Sequence, residues 1–527
     1  MTGTRFSATS AAFAFAACLA LGSGASAEEE DDATAVVHTE NGPIRGTITP
    51  TTITFRGIPY AEPPVGDLRW RPPEPRGRWR GLRDATKFAA HCPQPGSADQ
   101  PNASEDCLFL NVYVPRKADS EGADEERHGR SLGGRRRPVM VWIYGGANAS
   151  GASDFYDPTP LVETGAVIVV TVNYRIGALG FLAHRALDGE GHLAVNYGVM
   201  DQQLALRWVR DNIDRFGGDS GNVTIFGESA GGLNVTTHVV SPRSTGLFDK
   251  AIIESGAYQL NTPSLAASEA RGTAFANRIG CTDQTAACLR SKSLADVLAN
   301  AGTVNTGGAA YNQSTVDGQI LPETQISAIA AGRINRVPVM QGANSHEGRI
   351  FTSPTLTVAG YQASLAGFAA AFGKSVTEAF ATYPLTDYAS PFEAIAAVLG
   401  DFAFACSAEK SNQFLSQYVP TYAYEFDDAA AGPLGATHGA EIVYLFNVDL
   451  GSTLSRGPGS LPAPSQLLSI AMREYWTNFA RSSNPNSAIV PRWESVPSAS
   501  IQLLVPPAPH AGSPAAYNAR HKCAFWN

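Results

Sequence analysis

Val223-Thr224-Ile225-Phe226-Gly227-Glu228-Ser229-Ala230-Gly231-Gly232 carries a β-branched apolar run into a Gly-x-Ser-x-Gly pentapeptide, and the pentapeptide leads into a helix-compatible segment. Strand, tight turn and helix in that order lift a serine hydroxyl clear of a sheet on a strained, left-handed backbone. Small residues at Gly227 and Gly231 let strand and helix approach around that strain. Taken alone, the pentapeptide fits a structural serine in a Gly-rich turn equally well. Its surroundings have to separate the two readings.

Working outward, apolar β-rich runs at Val139 to Tyr144, Val167 to Val172, Val223 to Phe226, Ala251 to Glu254, Val337 to Gln341 and Tyr422 to Phe426 alternate with helical patterns. That alternation predicts an α/β fold with a mostly parallel sheet covered by helices on both faces. Between the second and third runs, Leu204, Leu206, Trp208, Val209, Ile213 and Phe216 recur at near-helical spacing and end at Gly217-Gly218. They predict a crossover helix over 202–216, leading into the serine turn. The charged, Gly-rich stretch Lys117 to Arg137 has no periodicity and reads as a solvated insertion between strands. No repeat or linker divides the chain, which predicts one domain over 28–527.

The first 27 residues read as a cleaved export signal. Arg5 precedes an apolar run from Ala11 to Leu21, and Ala25-Ser26-Ala27 supplies a small-residue cleavage site. The run is too short for a bilayer, which needs about 20 apolar residues. No other segment reads as long and apolar enough to span one. Of the 7 cysteines, Cys18 lies in this signal. The remaining six are spaced Cys92/Cys107, Cys281/Cys288 and Cys406/Cys523, an even set consistent with disulfides and a secreted or periplasmic location. Pairing in sequence order is one of fifteen connectivities that six cysteines allow. Net charge is −9, and −10 once Arg5 leaves with the signal, so nucleic acid and anionic membranes are not expected partners. No His, Cys or carboxylate cluster has metal-ligand spacing outside the cysteine pairs, so neither metal nor cofactor is expected.

Several segments together resemble one family. Phe55-Arg56-Gly57-Ile58-Pro59-Tyr60-Ala61, Ser104-Glu105-Asp106-Cys107-Leu108, Asn173-Tyr174-Arg175, Asp201-Gln202 with Trp208-Val209, and Phe216-Gly217-Gly218-Asp219 through Gly232 are similar to the type-B carboxylesterases. These are α/β-hydrolases that include cholinesterases and fungal lipases. The resemblance extends to Cys523-Ala524-Phe525-Trp526-Asn527 and so covers nearly all of the mature chain. It implies the α/β-hydrolase fold with a small N-terminal antiparallel sheet. It also implies a serine esterase in which Ser229 is the nucleophile, Glu347 in Asn344-Ser345-His346-Glu347-Gly348 the triad acid, and His438 in Thr437-His438-Gly439-Ala440-Glu441 the base.

The order Ser, acid, His is the one these hydrolases use. Rival histidines fail on geometry. His238 follows Ser229 on the same helix, roughly 13 Å along its axis, and His346 adjoins the acid itself. The resemblance assigns the oxyanion donors to the backbone amides of Gly146, Ala147 and Ala230. Ala147 stands where the family usually has a third glycine. Asn148 stands where it usually has an aromatic, which predicts a more polar or more open wall. Glu228 resembles a buried second carboxylate and Ser255 a supporting serine; ordinary satisfied polar residues are the alternative at both.

The loop Pro93 to Asp106 bears on substrate. It contains no aromatic residue of the kind that stacks on choline in cholinesterases. It also has no Leu, Ile, Val, Phe or Met with which to form a lipase lid. The expected activity is therefore hydrolysis of soluble carboxylic esters through an acyl-enzyme. A lipase or sterol esterase is the alternative within the fold, and a non-catalytic adhesion or binding member the alternative outside catalysis. Walls between Ala257 and Pro322 and near Phe351 to Phe402 are expected to shape the acyl and alcohol pockets. Because His438 must be neutral to act as base, activity is expected to fall below about pH 6 to 7.

Overall fold

The computed structural model describes residues 33–527 except 96–101, 117–135, 194, 259, 302–311, 452–459 and 497–499. The expected export signal, most of the Lys117 to Arg137 stretch and the middle of the Pro93 to Asp106 loop lie outside the described residues.

Among the described residues thirteen strands form one sheet. They are β1 (Thr34–His38), β2 (Pro43–Ile48), β3 (Thr52–Pro59), β4 (Arg83–Asp84), β5 (Phe109–Pro115), β6 (Arg137–Ile143) and β7 (Ile168–Val172), followed by β8 (Gly218–Glu228), β9 (Lys250–Glu254), β10 (Val339–Asn344), β11 (Thr421–Phe426), β12 (Ile501–Leu504) and β13 (His510–Gly512). Their spatial order is β1-β2-β3-β5-β7-β6-β8-β9-β10-β11-β12-β13, with β4 pairing β2 off this path. From β7 to β12 every neighbouring pair is parallel. The central strands β7, β9, β10 and β11 are buried along their whole length, as strands covered by helices on both faces must be. The antiparallel N-terminal strands are not a separate layer, because β3 pairs with β5 and carries them into the main sheet.

All six apolar runs read from the sequence are strands. The insertion ends one residue early: Arg137 already belongs to β6, where it pairs with Gly218. The crossover helix is longer than its spacing indicated. It runs over Tyr197–Asn212 and tightens to a 3₁₀ turn over Ile213–Phe216 before Gly217 stops it at φ 81°. Its first turn escaped the periodicity because Tyr197, Val199 and Met200 pack into a second hydrophobic cluster, with Phe181 and Phe275, and not beneath the sheet.

The helix after the serine, Ala230–Val240, has every residue buried and threads the middle of the fold. Such a helix needs no polar face. Contrary to the expectation that no segment beyond the N-terminal run is long and apolar enough to span a bilayer, the helical run Pro391–Leu415 is so by length and composition. Over half of its apolar window is buried inside the protein, where it packs beside β10 and β11. The disulfides are Cys92–Cys107, Cys281–Cys288 and Cys406–Cys523, the sequence-order connectivity among the fifteen.

Candidate active site

Ser229 sits between the end of β8 and the buried helix with φ 55° and ψ −123°, a strained conformation for a residue with a side chain. Its amide donates to the Glu254 carbonyl at 2.9 Å, which ties the turn to β9. A Cβ at Gly231 would collide with the Ile143 carbonyl, and one at Gly227 would meet the same carbonyl and Gly231. Both glycines are thus required by close approach, the reason inferred from the sequence.

Two loops at the same end of the sheet bring the other candidates to this serine. Glu347 opens a 3₁₀ turn after β10, and His438 lies in the loop that follows β11. The loops are stitched together by His346 N donating to Ala436 O at 3.0 Å and Asn344 Nδ2 donating to Thr437 O at 2.8 Å. Ser229 Oγ then lies 2.7 Å from His438 Nε2, and Nδ1 lies 2.6 Å from Glu347 Oε2. The other Glu347 oxygen accepts from Ser255 Oγ at 2.5 Å and from the Asn344 amide at 2.7 Å. An acid so held fixes which ring nitrogen of the imidazole carries its proton. The rivals are elsewhere: His238 is buried between Ser244 and Gln202, and His346 bonds to Ser345.

Charge around His438 is unusually dense. Glu228 approaches Nε2 to 3.2 Å, Glu347 bonds Nδ1, and Glu441 and Glu254 are buried beside these acids. Burial pushes the Glu228 carboxyl up to about 7, with His438 opposing and Glu347 reinforcing the rise. Burial likewise lifts Glu254 to about 8, although the Trp476 indole donates to it at 2.9 Å. Glu441 is raised well above the usual carboxylate range by burial and by its acidic neighbours, with Asn344 donating to it. On His438 itself burial favours the neutral ring, but Glu228, Glu347 and Glu441 outweigh it and raise the imidazole to about 9. This exceeds the ordinary imidazole range on which the expected pH limit rested, because a sequence does not display desolvated neighbours. Glu441 stands three residues after His438, and nothing in the sequence marks its burial.

The candidate oxyanion loop turns sharply after β6, with φ 98° at Gly146, 55° at Ala147 and 52° at Asn148. Amides of Ala149 and Ser150 both donate to the Gly146 carbonyl at 3.0 Å, and Asn312 Nδ2 donates to the Ala147 carbonyl at 2.6 Å. Among the described residues the amides of Gly146 and Ala147 have no acceptor. Ala230 heads its helix, where an amide has no intrahelical partner. Asn148 lines the cavity, as the expected polar wall requires, but it does not open that wall. Its side chain is buried, and its Oδ1 accepts from Asn234 Nδ2 at 2.8 Å and from Tyr174 OH at 3.4 Å.

A cavity of about 920 Å³ opens onto Ser229 and His438. Phe351 and Phe404 stack on each other and flank the imidazole, with ring centroids 5.2 and 4.7 Å from it. Phe404 comes from a π-helical stretch, Gly400–Ala405, that aims it inward. No sequence signal marked that stretch, since one extra residue per turn leaves the composition unchanged. Tyr258, on the expected Ala257 to Pro322 wall, brings its hydroxyl to Ser229.

The model of the carboxylesterase family matches residues 33–526. The fumonisin B1 esterase of Sphingopyxis macrogoltabida is 35% identical over 487 residues, covering 88% of this chain and 85% of that protein. The para-nitrobenzyl esterase of Bacillus subtilis (strain 168) is 33% identical over 470 residues, covering 86% and 91%. The cocaine esterase of Oryctolagus cuniculus is 34% identical over 509 residues, covering 88% and 90%. Among solved structures, a PNB esterase superposes with a TM-score of 0.78 at 31% identity, covering 92% of this chain and 99% of that one.

Proposed function

The chain belongs to the carboxylesterase family and is a carboxylic ester hydrolase, and from that premise we propose an exported serine esterase that acts on soluble esters through an acyl-enzyme on Ser229. His438 Nε2 takes the hydroxyl proton as Oγ attacks the ester carbonyl. Glu347 holds the imidazole and balances the charge that forms on it. The amides of Gly146, Ala147 and Ala230 receive the oxyanion, and unpaired amides held in a rigid turn suit that task because they need no reorganisation as charge develops. The alcohol leaves with the proton returned by His438, and water repeats the attack on the acyl-enzyme. Glu228 and Ser255 support the site, the first by its charge beside Nε2 and the second by holding Glu347.

The observation that carries the reading is the continuous hydrogen-bonded line from Ser229 Oγ through His438 to Glu347, at 2.7 and 2.6 Å. The three disulfides support an oxidising location. We further propose that residues 1–27 are the cleaved signal and that the remainder works as one domain. The test is stoichiometric labelling by a fluorophosphonate probe together with hydrolysis of a 4-nitrophenyl ester. Both are expected in the wild type and absent from Ser229→Ala. Labelling that survives the substitution refutes the assignment, and a wild type that neither labels nor turns over returns the chain to a binding role. Activity that jumps once a triglyceride passes its solubility limit would instead favour a lipase.

A further inference from the structure

The cavity above Ser229 is lined by the rings of Phe351, Phe404, Phe402 and Trp526, with those of Phe402 and Trp526 5.1 Å apart. Elsewhere on its wall stand two cations, Arg271 from the helix Leu265–Arg278 and Lys410 from the helix Cys406–Leu415. Among the described lining residues there is no Asp or Glu side chain. This is opposite to the chain as a whole, in which 48 acids outnumber 39 Lys and Arg. We propose that Lys410 forms a subsite for a carboxylate carried by the substrate, with Arg271 adding to the positive charge of the wall, so that the enzyme prefers esters bearing a second, free carboxylate over neutral esters of the same length. The proposal rests on the esterase reading and specifies its substrate class.

Lys410 is half-buried and makes neither a hydrogen bond nor an ion pair with any described residue. An ammonium drawn partly out of water normally finds a counter-charge. The adjacent acid does not provide one, because Glu409 accepts from Gln413 at 2.6 Å and from Asn518 at 3.3 Å and is engaged on another face. Arg271 is held in place by donating to Ser268 Oγ at 3.0 Å, and Ser268 in turn bonds Thr315 at 2.8 Å. That strand of contacts belongs to the wall whose Asn312 grips the candidate oxyanion loop. Lys410 is fixed relative to the chemistry by a continuous helical run: its helix Cys406–Leu415 follows directly on the π-helical stretch that holds Phe404 against His438, six residues before it. A carboxylate there would sit a medium-length arm away from the ester carbonyl. The fixed spacing makes chain length a second readout.

The experiment compares kcat/KM for the mono-4-nitrophenyl esters of adipic and suberic acid with 4-nitrophenyl hexanoate and octanoate. A second pair, 4-carboxyphenyl butyrate against phenyl butyrate, places the carboxylate on the alcohol side. Each is measured in the wild type, Lys410→Met, Arg271→Gln and Lys410→Glu, and the wild-type-to-variant ratio cancels the intrinsic reactivity of each ester. In at least one pair, the anionic-to-neutral ratio is expected to fall about tenfold in Lys410→Met, as loss of a charge-assisted contact requires. It should fall further in Lys410→Glu and shrink in the wild type as salt is added. Ratios that none of these substitutions moves, in either pair, overturn the proposal while leaving the esterase standing. If the wild type hydrolyses no ester, the esterase reading fails instead, and calorimetry decides the subsite. Suberate binding to Ser229→Ala that is lost in Ser229→Ala/Lys410→Met supports it, and equal or absent binding in both refutes it.

Discussion

Replacing Glu228 with glutamine should move the acid limb of the pH profile downward. Its carboxylate lies 3.2 Å from Nε2 of His438 and is the largest influence raising that imidazole to about 9. At this separation the attraction between imidazolium and carboxylate is worth about 1 kcal/mol in a water-like medium and about 5 kcal/mol at the effective dielectric of a protein site. At about 1.4 kcal/mol per pH unit, its removal shifts the imidazole by about one to four units. Glu347 keeps its own bond to Nδ1, which makes the lower part of that range the expectation. Glu228 itself titrates near 7, so it is charged where the limb lies and the effect is present to be lost. The sign follows from the role of the base: a protonated His438 cannot accept the serine proton, so a higher imidazole pKa pushes activity to higher pH. The assay is kcat/KM on a neutral 4-nitrophenyl ester from about pH 5 to about pH 10, which reports groups of the free enzyme. It is followed at the nitrophenol isosbestic wavelength and normalised to the labelled fraction. The wild-type limb should lie well above the ordinary imidazole value, and the Glu228→Gln limb at least about one unit lower. Coincident limbs would refute the electrostatic reasoning.

Three further predictions concern stability. Glu254 is raised from 4.5 to about 8, so the folded state binds its proton more tightly than the unfolded chain does, and stability should decline as pH rises from about 4.5 to about 8. Glu254→Gln, which keeps an acceptor for Trp476, should flatten that decline, and an unchanged slope of urea midpoint against pH would contradict it. Asp201 holds Arg175 through Nε at 2.8 Å and Nη2 at 2.7 Å with both side chains buried. Asp201→Ala should therefore cost about 3–5 kcal/mol in urea unfolding, and Arg175→Met/Asp201→Leu less; a double variant as unstable as the single would show the charge pairing to be irrelevant. Replacing both Cys406 and Cys523 by serine opens a closure spanning 117 residues, for which chain entropy sets a loss of up to about 5 kcal/mol. The variant should unfold at lower temperature and, because the freed end carries Trp526 of the cavity wall, show altered ester chain-length preference. An unchanged melting temperature would contradict this.

The serine turn was legible in the sequence because everything that makes it is local. A β-branched run, two glycines and a small-residue helix occupy ten consecutive positions, and each constrains backbone that its neighbours build. The central strands were legible for a related reason, since burial on both faces leaves an uninterrupted apolar run. Where the crossover helix began was not, because Tyr197 to Met200 pack against a different cluster and break the periodicity that marks a helix beneath a sheet. The candidate site shows the same division. Its residue types, and their order along the chain, stand in Ser229, Glu347 and His438, but Ser229 and His438 are 209 residues apart and only the meeting of loops after β8, β10 and β11 makes them neighbours. What surrounds them is legible only in three dimensions. The field of three buried carboxylates on His438 comes from Glu228 and Glu347, far away in sequence, and from Glu441, three residues on but unmarked there as buried. Charge and desolvation act through space, and spacing along the chain does not show which acids will be buried against the histidine they perturb.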